Sequence, residues 1–189
     1  GEPFWRFYPR TVIGTFRKNL ELERQRLARS GRSAFSLANE TWRNVLFPVA
    51  LTAAAWVAGA VLAPEAPGFL GLGSGATAAL LVVVQAVLGF SLLEVVNYLE
   101  HYGLERARRA DGGLERVTHL DSWNASETLT NWCLLNLQRH ADHHAHPARP
   151  YQTLRHYDDS PQLPTGYPGM ALVALVPPLW YRLMNPRVE

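Results

Sequence analysis

Residues 45–62 read VLFPVALTAAAWVAGAVL, and residues 71–93 read GLGSGATAALLVVVQAVLGFSLL. Neither stretch contains a charged side chain, and both are rich in Ala, Val, Leu and Gly, as membrane helices are. The shorter one, 18 residues of α-helix, rises about 27 Å, close to the roughly 30 Å hydrocarbon core of a bilayer. The two stretches therefore predict a transmembrane helical hairpin, with spanning helices over residues 42–63 and 74–98.

The rest of the chain predicts helices outside the bilayer. Residues 1–41 combine aromatic and Arg residues with a charged helical run, which favours a cytoplasmic or interfacial helix. Residues 99–189 form a cytoplasmic region that carries the histidines. We expect an all-α integral membrane protein whose 189 residues belong to one membrane domain. A hairpin buried in a soluble core is the alternative, but it requires more amphipathic partner helices than this chain supplies.

The distribution of basic residues predicts the topology. All 18 Arg and Lys residues lie before residue 44 or after residue 104, and the connector over residues 63–76 has none. Because Lys and Arg accumulate on the cytoplasmic side, both ends of the chain are expected in the cytoplasm. The net charge of +2 and the absence of a basic motif interleaved with aromatic residues argue against a nucleic-acid partner.

One helix is expected between residues 124 and 147. Residues 124–127 (NASE) look like a capping box, and Pro147 would end the helix. Cys133, the single cysteine, rules out a disulfide framework and a CxxC metal site, and we expect a packed thiol. The apolar stripe of this predicted helix consists of Leu129, Trp132, Cys133 and Leu137.

Four of the seven histidines fall within residues 137–146, which read LQRHADHHAH. On a helix, His143 and His144 follow His140 by three and four residues, so the three imidazoles project over one side. Neutral imidazole is the commonest side-chain ligand for iron, copper and zinc. The cluster therefore predicts a metal site.

A second motif, residues 97–104 (NYLEHYGL), places His101 just past the cytoplasmic end of the second predicted span. Asn97 and Glu94 precede His101 by four and seven residues, on one helix face. A carboxylate in the middle of a membrane helix costs about 2.5–3.5 kcal/mol, so Glu94 is expected either to serve the metal site or to extend towards a cytoplasmic Arg. Ligating histidines usually donate their second N–H to such an oxygen. The candidates for orienting the imidazoles are Glu94, Asn97, Glu100 and Asp142.

Both histidine motifs resemble signature boxes of the membrane alkane 1-monooxygenases, the bacterial alkane hydroxylases. The resemblance extends over nearly the whole chain, and the two boxes together are highly specific. The further stretches that resemble family sequence are, in order, FWRFYPRT (4–11), SWN (122–124), YQTLR (151–155), LPTGY (163–167) and PPLW (177–180).

The resemblance implies an integral enzyme of the bacterial inner membrane, with two non-haem iron ions. Such enzymes use O2 to hydroxylate the terminal methyl group of medium-chain n-alkanes, and rubredoxin delivers the two electrons from a rubredoxin reductase that uses NAD(P)H. In this chain His101 matches the lone histidine of one box. The three histidines of the last box match His140, His143 and His144.

The match to the family is partial. The family's iron site draws on four histidine boxes, and the two earlier boxes have no counterpart in these 189 residues. We therefore expect a C-terminal portion of the hydroxylase, with the remaining ligands upstream of Gly1 and no activity on its own. Asp121 stands where the family often has histidine, and His119 lies two residues earlier. His146 and His156 are expected near the site or on the surface.

Three other functions remain open at this point. The first is a related histidine-box enzyme, such as a xylene monooxygenase or a fatty-acid desaturase or hydroxylase. The second is a non-catalytic membrane protein that binds zinc or iron. The third is a degenerate fragment that binds nothing. We also expect the Arg-rich cytoplasmic surface to attract an acidic carrier such as rubredoxin.

Overall fold

The computed structural model of the protein describes residues 1–188, and over that range it is helical with no β-strand. The all-α prediction is therefore confirmed. One 3₁₀ turn over Tyr151–Thr153 lies among seven α-helices. These are α1 (Phe4–Arg29), α2 (Glu40–Leu62), α3 (Ser74–His101), α4 (Thr128–Cys133), α5 (His140–Ala145), α6 (Tyr167–Ala174) and α7 (Pro177–Val188).

The chain divides into two compact units, and the long helices α1 and α3 each contribute to both. The hairpin unit consists of Arg10–Leu93. The histidine unit consists of Gly1–Pro9 together with the chain from Glu94 onward.

In the hairpin unit, α2 and α3 are long and apolar enough to cross a membrane. None of the residues in the most apolar 18-residue window of α2 is buried, and only 6% of those in the corresponding window of α3 are. The central helices of a soluble protein would hide these side chains from solvent. The alternative of a hairpin buried in a soluble core therefore does not hold.

The two apolar helices lie close together where Gly59 and Gly75 face the opposite helix. A Cβ added at Gly59 would lie 2.8 Å from the Ser74 carbonyl oxygen, and one added at Gly75 would lie 2.6 Å from the Trp56 carbonyl oxygen. The Ser74 hydroxyl donates to the Gly59 carbonyl at 2.9 Å. Small residues of this kind let membrane helices pack backbone against backbone.

The junction between α1 and α2 is held by polar contacts. The Asn39 side chain caps α2 by accepting from the Thr41 N–H at 2.9 Å. The Glu23 carboxylate on α1 accepts from the Glu40 N–H at 2.8 Å and from the Arg26 guanidinium at 2.7 and 2.8 Å. The Arg26 hydrogen bonds, followed by the Glu40 N–H, lower the pKa of Glu23 to about 2.

In the histidine unit, an aromatic cluster packs around the last turns of α3. The ring of Trp180 on α7 lies 5.2 Å from the rings of both Tyr98 and Tyr102, and Phe4 lies 5.6 Å from Tyr98. The Trp123 N–H donates to the Tyr102 carbonyl at 2.7 Å. These buried rings fix the end of α3 that carries His101.

The prediction of one continuous helix between residues 124 and 147 is wrong. The segment contains two short helices, α4 and α5, because Leu135 and Asn136 take left-handed conformations with φ of 52° and 60°. Asn136 tolerates this conformation, and its side chain donates to the Tyr151 carbonyl at 3.1 Å. Cys133, expected to be packed, is exposed at the end of α4.

Candidate metal centre

His101 lies at the last position of α3 and is oriented by its own helix. Its Nδ1 lies 3.0 Å from the Asn97 carbonyl oxygen, one turn earlier. Because a carbonyl only accepts, this contact assigns the proton to Nδ1 and leaves the lone pair on Nε2. The His101 Nε2 atom is thereby prepared to bind a cation.

The three histidines of the last box lie on α5. The side chain of Asn124, which is distant in sequence, caps the start of this helix. The Asn124 Oδ1 atom accepts from the Ala141 N–H at 2.7 Å, in the first turn of α5. The sequence predicts that residues 124–127 start one helix that continues to Pro147, but α4 begins at Thr128 without a side-chain cap. Asn124 therefore helps to hold the start of α5, where His140 lies.

Three imidazoles converge at the point where the end of α3 meets α5. His101, His140 and His144 form a group in which each residue has one ring nitrogen within 4.8 Å of a ring nitrogen of both others. The Nε2 atoms of His101 and His144 are 3.2 Å apart. His143 is exposed and lies outside this group, with its ring 5.7 Å from that of His140. A single cation could bind the three converging nitrogens.

The electrostatics of the cluster favour neutral imidazoles on α5. Burial, and after it the neighbouring His144 and His101, lower the pKa of His140 to about 2. Burial and then His101 also lower the pKa of His144. Both side chains are therefore neutral at physiological pH, and each keeps a lone pair for a metal ion.

Glu100 supplies a carboxylate at the same point. Its side chain is 5% exposed, and its Oε2 atom lies 3.0 Å from the His140 Nε2 atom. That contact lacks hydrogen-bond geometry, so within residues 1–188 neither ring nitrogen of His140 has a hydrogen-bond partner, and neither does Glu100 Oε1. Buried polar atoms without partners are costly. A cation bound here would satisfy them, so the residues present fit a metal ion.

Asp142 projects on the side of α5 away from His140 and His144, two residues further along the helix. Its fully buried carboxylate accepts from the Arg149 guanidinium at 2.5 and 2.6 Å, from the Arg155 N–H at 2.7 Å and from the Tyr157 hydroxyl at 3.0 Å. Burial raises the pKa of Asp142, but these donors outweigh it and the net pKa is lowered. Asp142 thus anchors α5 to the loop that follows it.

Glu94 and Asn97 reach the site indirectly. The Asn97 side chain donates to Glu94 at 3.4 Å, while the Asn97 backbone carbonyl contacts His101. The structure therefore links Glu94 to the imidazole of His101 through Asn97.

The remaining histidines have partners away from the cluster or lie at the surface. His119 contacts Asp159 at 2.9 Å and stacks on Tyr157, with ring centroids 4.6 Å apart. Asp121 accepts from the N–H and hydroxyl of Thr118 at 2.7 and 3.0 Å, in a local turn. His156 contacts the Ser126 hydroxyl at 2.6 Å, and His146 is exposed after α5.

Sequence reasoning did not identify several residues that support the cluster. Gln138, fully buried before α5, accepts from the Tyr167 N–H and donates to the Thr130 hydroxyl at 2.9 Å. The contact with Tyr167 joins residues 29 positions apart, so no local pattern could reveal it. The missed supports are Asn124, Gln138, Arg149 and Tyr157.

Comparison with known proteins assigns this arrangement to a family. The family model described as fatty acid desaturase matches residues 1–174. The chain belongs to the fatty acid desaturase family. Membership in this family, together with two exposed apolar helices of spanning length, makes it an all-α membrane protein.

Two curated relatives named alkane 1-monooxygenase and one xylene/toluene monooxygenase component are similar to this chain. The alkane 1-monooxygenase of Acinetobacter baylyi is 43% identical over 100% of this chain and 42% of its own length. Alkane 1-monooxygenase 2 of Pseudomonas aeruginosa is 45% identical over 100% of this chain and 46% of its own length. The xylene/toluene monooxygenase hydroxylase component XylM of Pseudomonas putida is 25% identical over 97% of the chain. The chain spans less than half the length of each of these relatives.

Proposed function

We propose that this chain forms part of a non-haem di-iron monooxygenase that hydroxylates the terminal methyl group of medium-chain n-alkanes. The reaction consumes the alkane, O2, two electrons and two protons, and it yields a 1-alkanol and water. The observation that carries the proposal is the convergence of His101, His140 and His144, together with the two buried ring nitrogens of His140 that have no hydrogen-bond partner within residues 1–188. Relatives named alkane 1-monooxygenase, 43% and 45% identical, support the choice of substrate.

Four histidines are proposed as iron ligands. His101, His140 and His144 already converge, whereas His143 needs a change of rotamer or a second ion to join them. Four imidazoles are too few for two iron ions, so the proposal requires further ligands from polypeptide outside these 189 residues. Glu100 and Asn97 would orient the imidazoles of His140 and His101.

The bound iron would supply, with O2, the oxidising power that an unactivated C–H bond demands. The chain's own residues prepare its site. Burial keeps His140 and His144 neutral, so their lone pairs are available without loss of a proton. Asp142 and Asn124 hold α5 from one side and from its N-terminal end, so that the imidazoles are positioned before a metal binds.

The proposed location is the bacterial inner membrane, with both ends of the chain in the cytoplasm. The α2–α3 connector lacks Arg and Lys, whereas the flanking segments hold all 18 of these residues. This asymmetry would place the C-terminal end of α3, and with it His101, on the cytoplasmic side.

The proposed electron donor is rubredoxin, reduced in turn by a rubredoxin reductase with NAD(P)H. Residues 1–43 carry nine basic and four acidic side chains, which would attract an acidic carrier. Electron transfer should therefore slow as the salt concentration rises. A rate that does not change with salt would contradict attraction by charge.

Product analysis tests the reaction. Membranes that contain the full polypeptide, supplied with O2, reductant and n-octane, should form 1-octanol. His144→Ala should abolish the product, whereas the matched control His146→Ala, an exposed residue two positions away, should retain it. Oxidation of a methylarene without oxidation of n-octane would contradict the alkane substrate. Equal activity in the two variants would contradict the role of the histidine cluster.

A further inference from the structure

The elbow between α6 and α7 has an unusual outer surface. From Pro168 to Leu179, every exposed residue is apolar. The inner face of the same segment packs Met170 and Ala174 into the core of the histidine unit, and the next residue, Trp180, is buried there too. The elbow patch, as we name it, consists of Leu172, Leu175, Val176 and Leu179, which are 70, 36, 50 and 48% exposed, together with Trp5 at 59%.

This surface differs from that of a helix that faces water. A helix that borders a core and water is apolar inside and polar outside, as the last turns of α1 show, where Leu27 is buried and Arg24 and Arg26 are exposed. The elbow is apolar on both faces. An apolar outer face is suited to an apolar surrounding.

The backbone of the elbow is also prepared for a medium without water. Pro177 and Pro178 have no N–H group to satisfy. The Val176 N–H donates to the Val173 carbonyl at 3.0 Å, and the Val176 carbonyl accepts from Leu179 and Trp180 at 3.0 Å. The Leu175 carbonyl, at the end of α6, accepts from the Trp5 indole N–H at 3.0 Å. In hydrocarbon, each such group must have a partner within the protein.

Residue types that favour the membrane–water boundary lie at the edges of the patch. Trp, the residue type at position 5, is enriched at this boundary. The neighbouring Arg6 has an 81% exposed side chain that can extend into water. Arg182 follows the apolar run at its other end and is exposed. The uncharged stretch from Tyr167 to Tyr181 is too short to cross a bilayer as a helix.

We infer that the elbow patch inserts into one leaflet of the membrane, where phospholipid acyl chains cover it. The histidine unit then has a membrane contact of its own, in addition to the α2–α3 hairpin. Its partner is the acyl region just below the headgroups, the depth at which amphipathic interfacial segments lie.

Nitroxide spin labels attached at chosen positions test this contact. In a Cys133→Ser background, Leu172→Cys and Val176→Cys are labelled with a nitroxide, and the protein is placed in phosphatidylcholine/phosphatidylglycerol nanodiscs. Collisions with O2, which concentrates in lipid, are compared with collisions with a water-soluble nickel chelate. Asp158→Cys, at a side chain that is fully exposed, is the aqueous control, and Leu88→Cys on α3 is the membrane control.

The proposal predicts that labels at residues 172 and 176 favour O2 over the nickel chelate, as residue 88 does and residue 158 does not. Labels that favour the nickel chelate would show that water covers the patch and would overturn the inference. Labels shielded from both reagents would show that protein covers it, which would overturn the inference as well. The readout does not depend on bound metal, so its failure leaves the proposed function untouched.

Discussion

The hairpin unit and the histidine unit encode their structures in different ways. In the hairpin unit, runs of apolar residues specify both helices, and small residues such as Gly59 and Gly75 allow them to approach closely. In the histidine unit, His101 and His140 lie on separate helices, and side chains from distant loops hold them together. Composition is therefore enough for the first unit, whereas the second depends on individual polar contacts. Substitutions should reveal this difference.

The largest effect on stability is expected at the anchor of α5. Asp142→Ala removes the acceptor of Arg149, the Arg155 N–H and Tyr157, and it leaves a partly buried guanidinium unpaired. We expect a loss of about 3–5 kcal/mol in the free energy of unfolding of the histidine unit. Chemical denaturation followed by tryptophan fluorescence measures it. Asp158→Ala, which removes a fully exposed carboxylate, is the control and should change stability by less than about 0.5 kcal/mol.

Glu100→Gln should weaken metal binding without unfolding the protein. The substitution keeps the size of the side chain but replaces the carboxylate beside His140. Loss of a group that orients a metal ligand costs about 10–100-fold in affinity, and competition with a chelator measures the change. Glu105→Gln, at an exposed position four residues from His101, should bind metal as the parent does. Equal affinities would show that Glu100 does not act on the site.

A methyl group added at Gly59, where α2 lies close to α3, should disturb the hairpin. Gly59→Ala places a Cβ 2.8 Å from the Ser74 carbonyl oxygen, so the helices must separate. We expect a loss of about 1–3 kcal/mol, measured by thermal unfolding in detergent. Gly89→Ala is the matched control, because nothing lies within 4 Å of its added Cβ. If the two variants were equally stable, close packing at Gly59 would not hold the hairpin together.

The smallest effect should be a pH dependence at the α1–α2 junction. Because its hydrogen bonds lower the pKa of Glu23 from 4.5 to about 2, ionised Glu23 stabilises the junction fully above pH 4.5 and loses this effect as the pH falls towards 2. The protection factor of the Glu40 amide hydrogen, which is the exchange rate of an unfolded peptide at the same pH divided by its own, should fall over that window. In Glu23→Gln this fall should be absent, whereas Glu65→Gln, in the exposed connector, should behave as the parent.

Sequence alone predicted the features that depend on local pattern. The apolar runs predicted the two long helices, and the i, i+4 spacing brought His140 and His144 to one side of a helix. The break at Leu135 and Asn136 was missed because the capping pattern and the apolar stripe favour a continuous helix. The break is instead accompanied by a hydrogen bond from the Asn136 side chain to the Tyr151 carbonyl.

The same limit applies to which of the histidines converge. Helical spacing alone does not distinguish His143 from His144, since both follow His140 by about one turn. The position of His101 makes that distinction in the structure, because its Nε2 atom meets that of His144. That contact joins residues 43 positions apart and has no local signal.

Iron content, determined by elemental analysis, tests most directly whether this cluster is a metal centre. The comparison uses His101→Ala, His140→Ala, His144→Ala and the control His146→Ala, each in the 189-residue chain and in a longer polypeptide that contains it. We predict that the longer parent and the control hold two irons per chain, and that each of the other three variants loses iron. Zinc in place of iron, or iron content unaffected by all three substitutions, would contradict a di-iron site at these histidines.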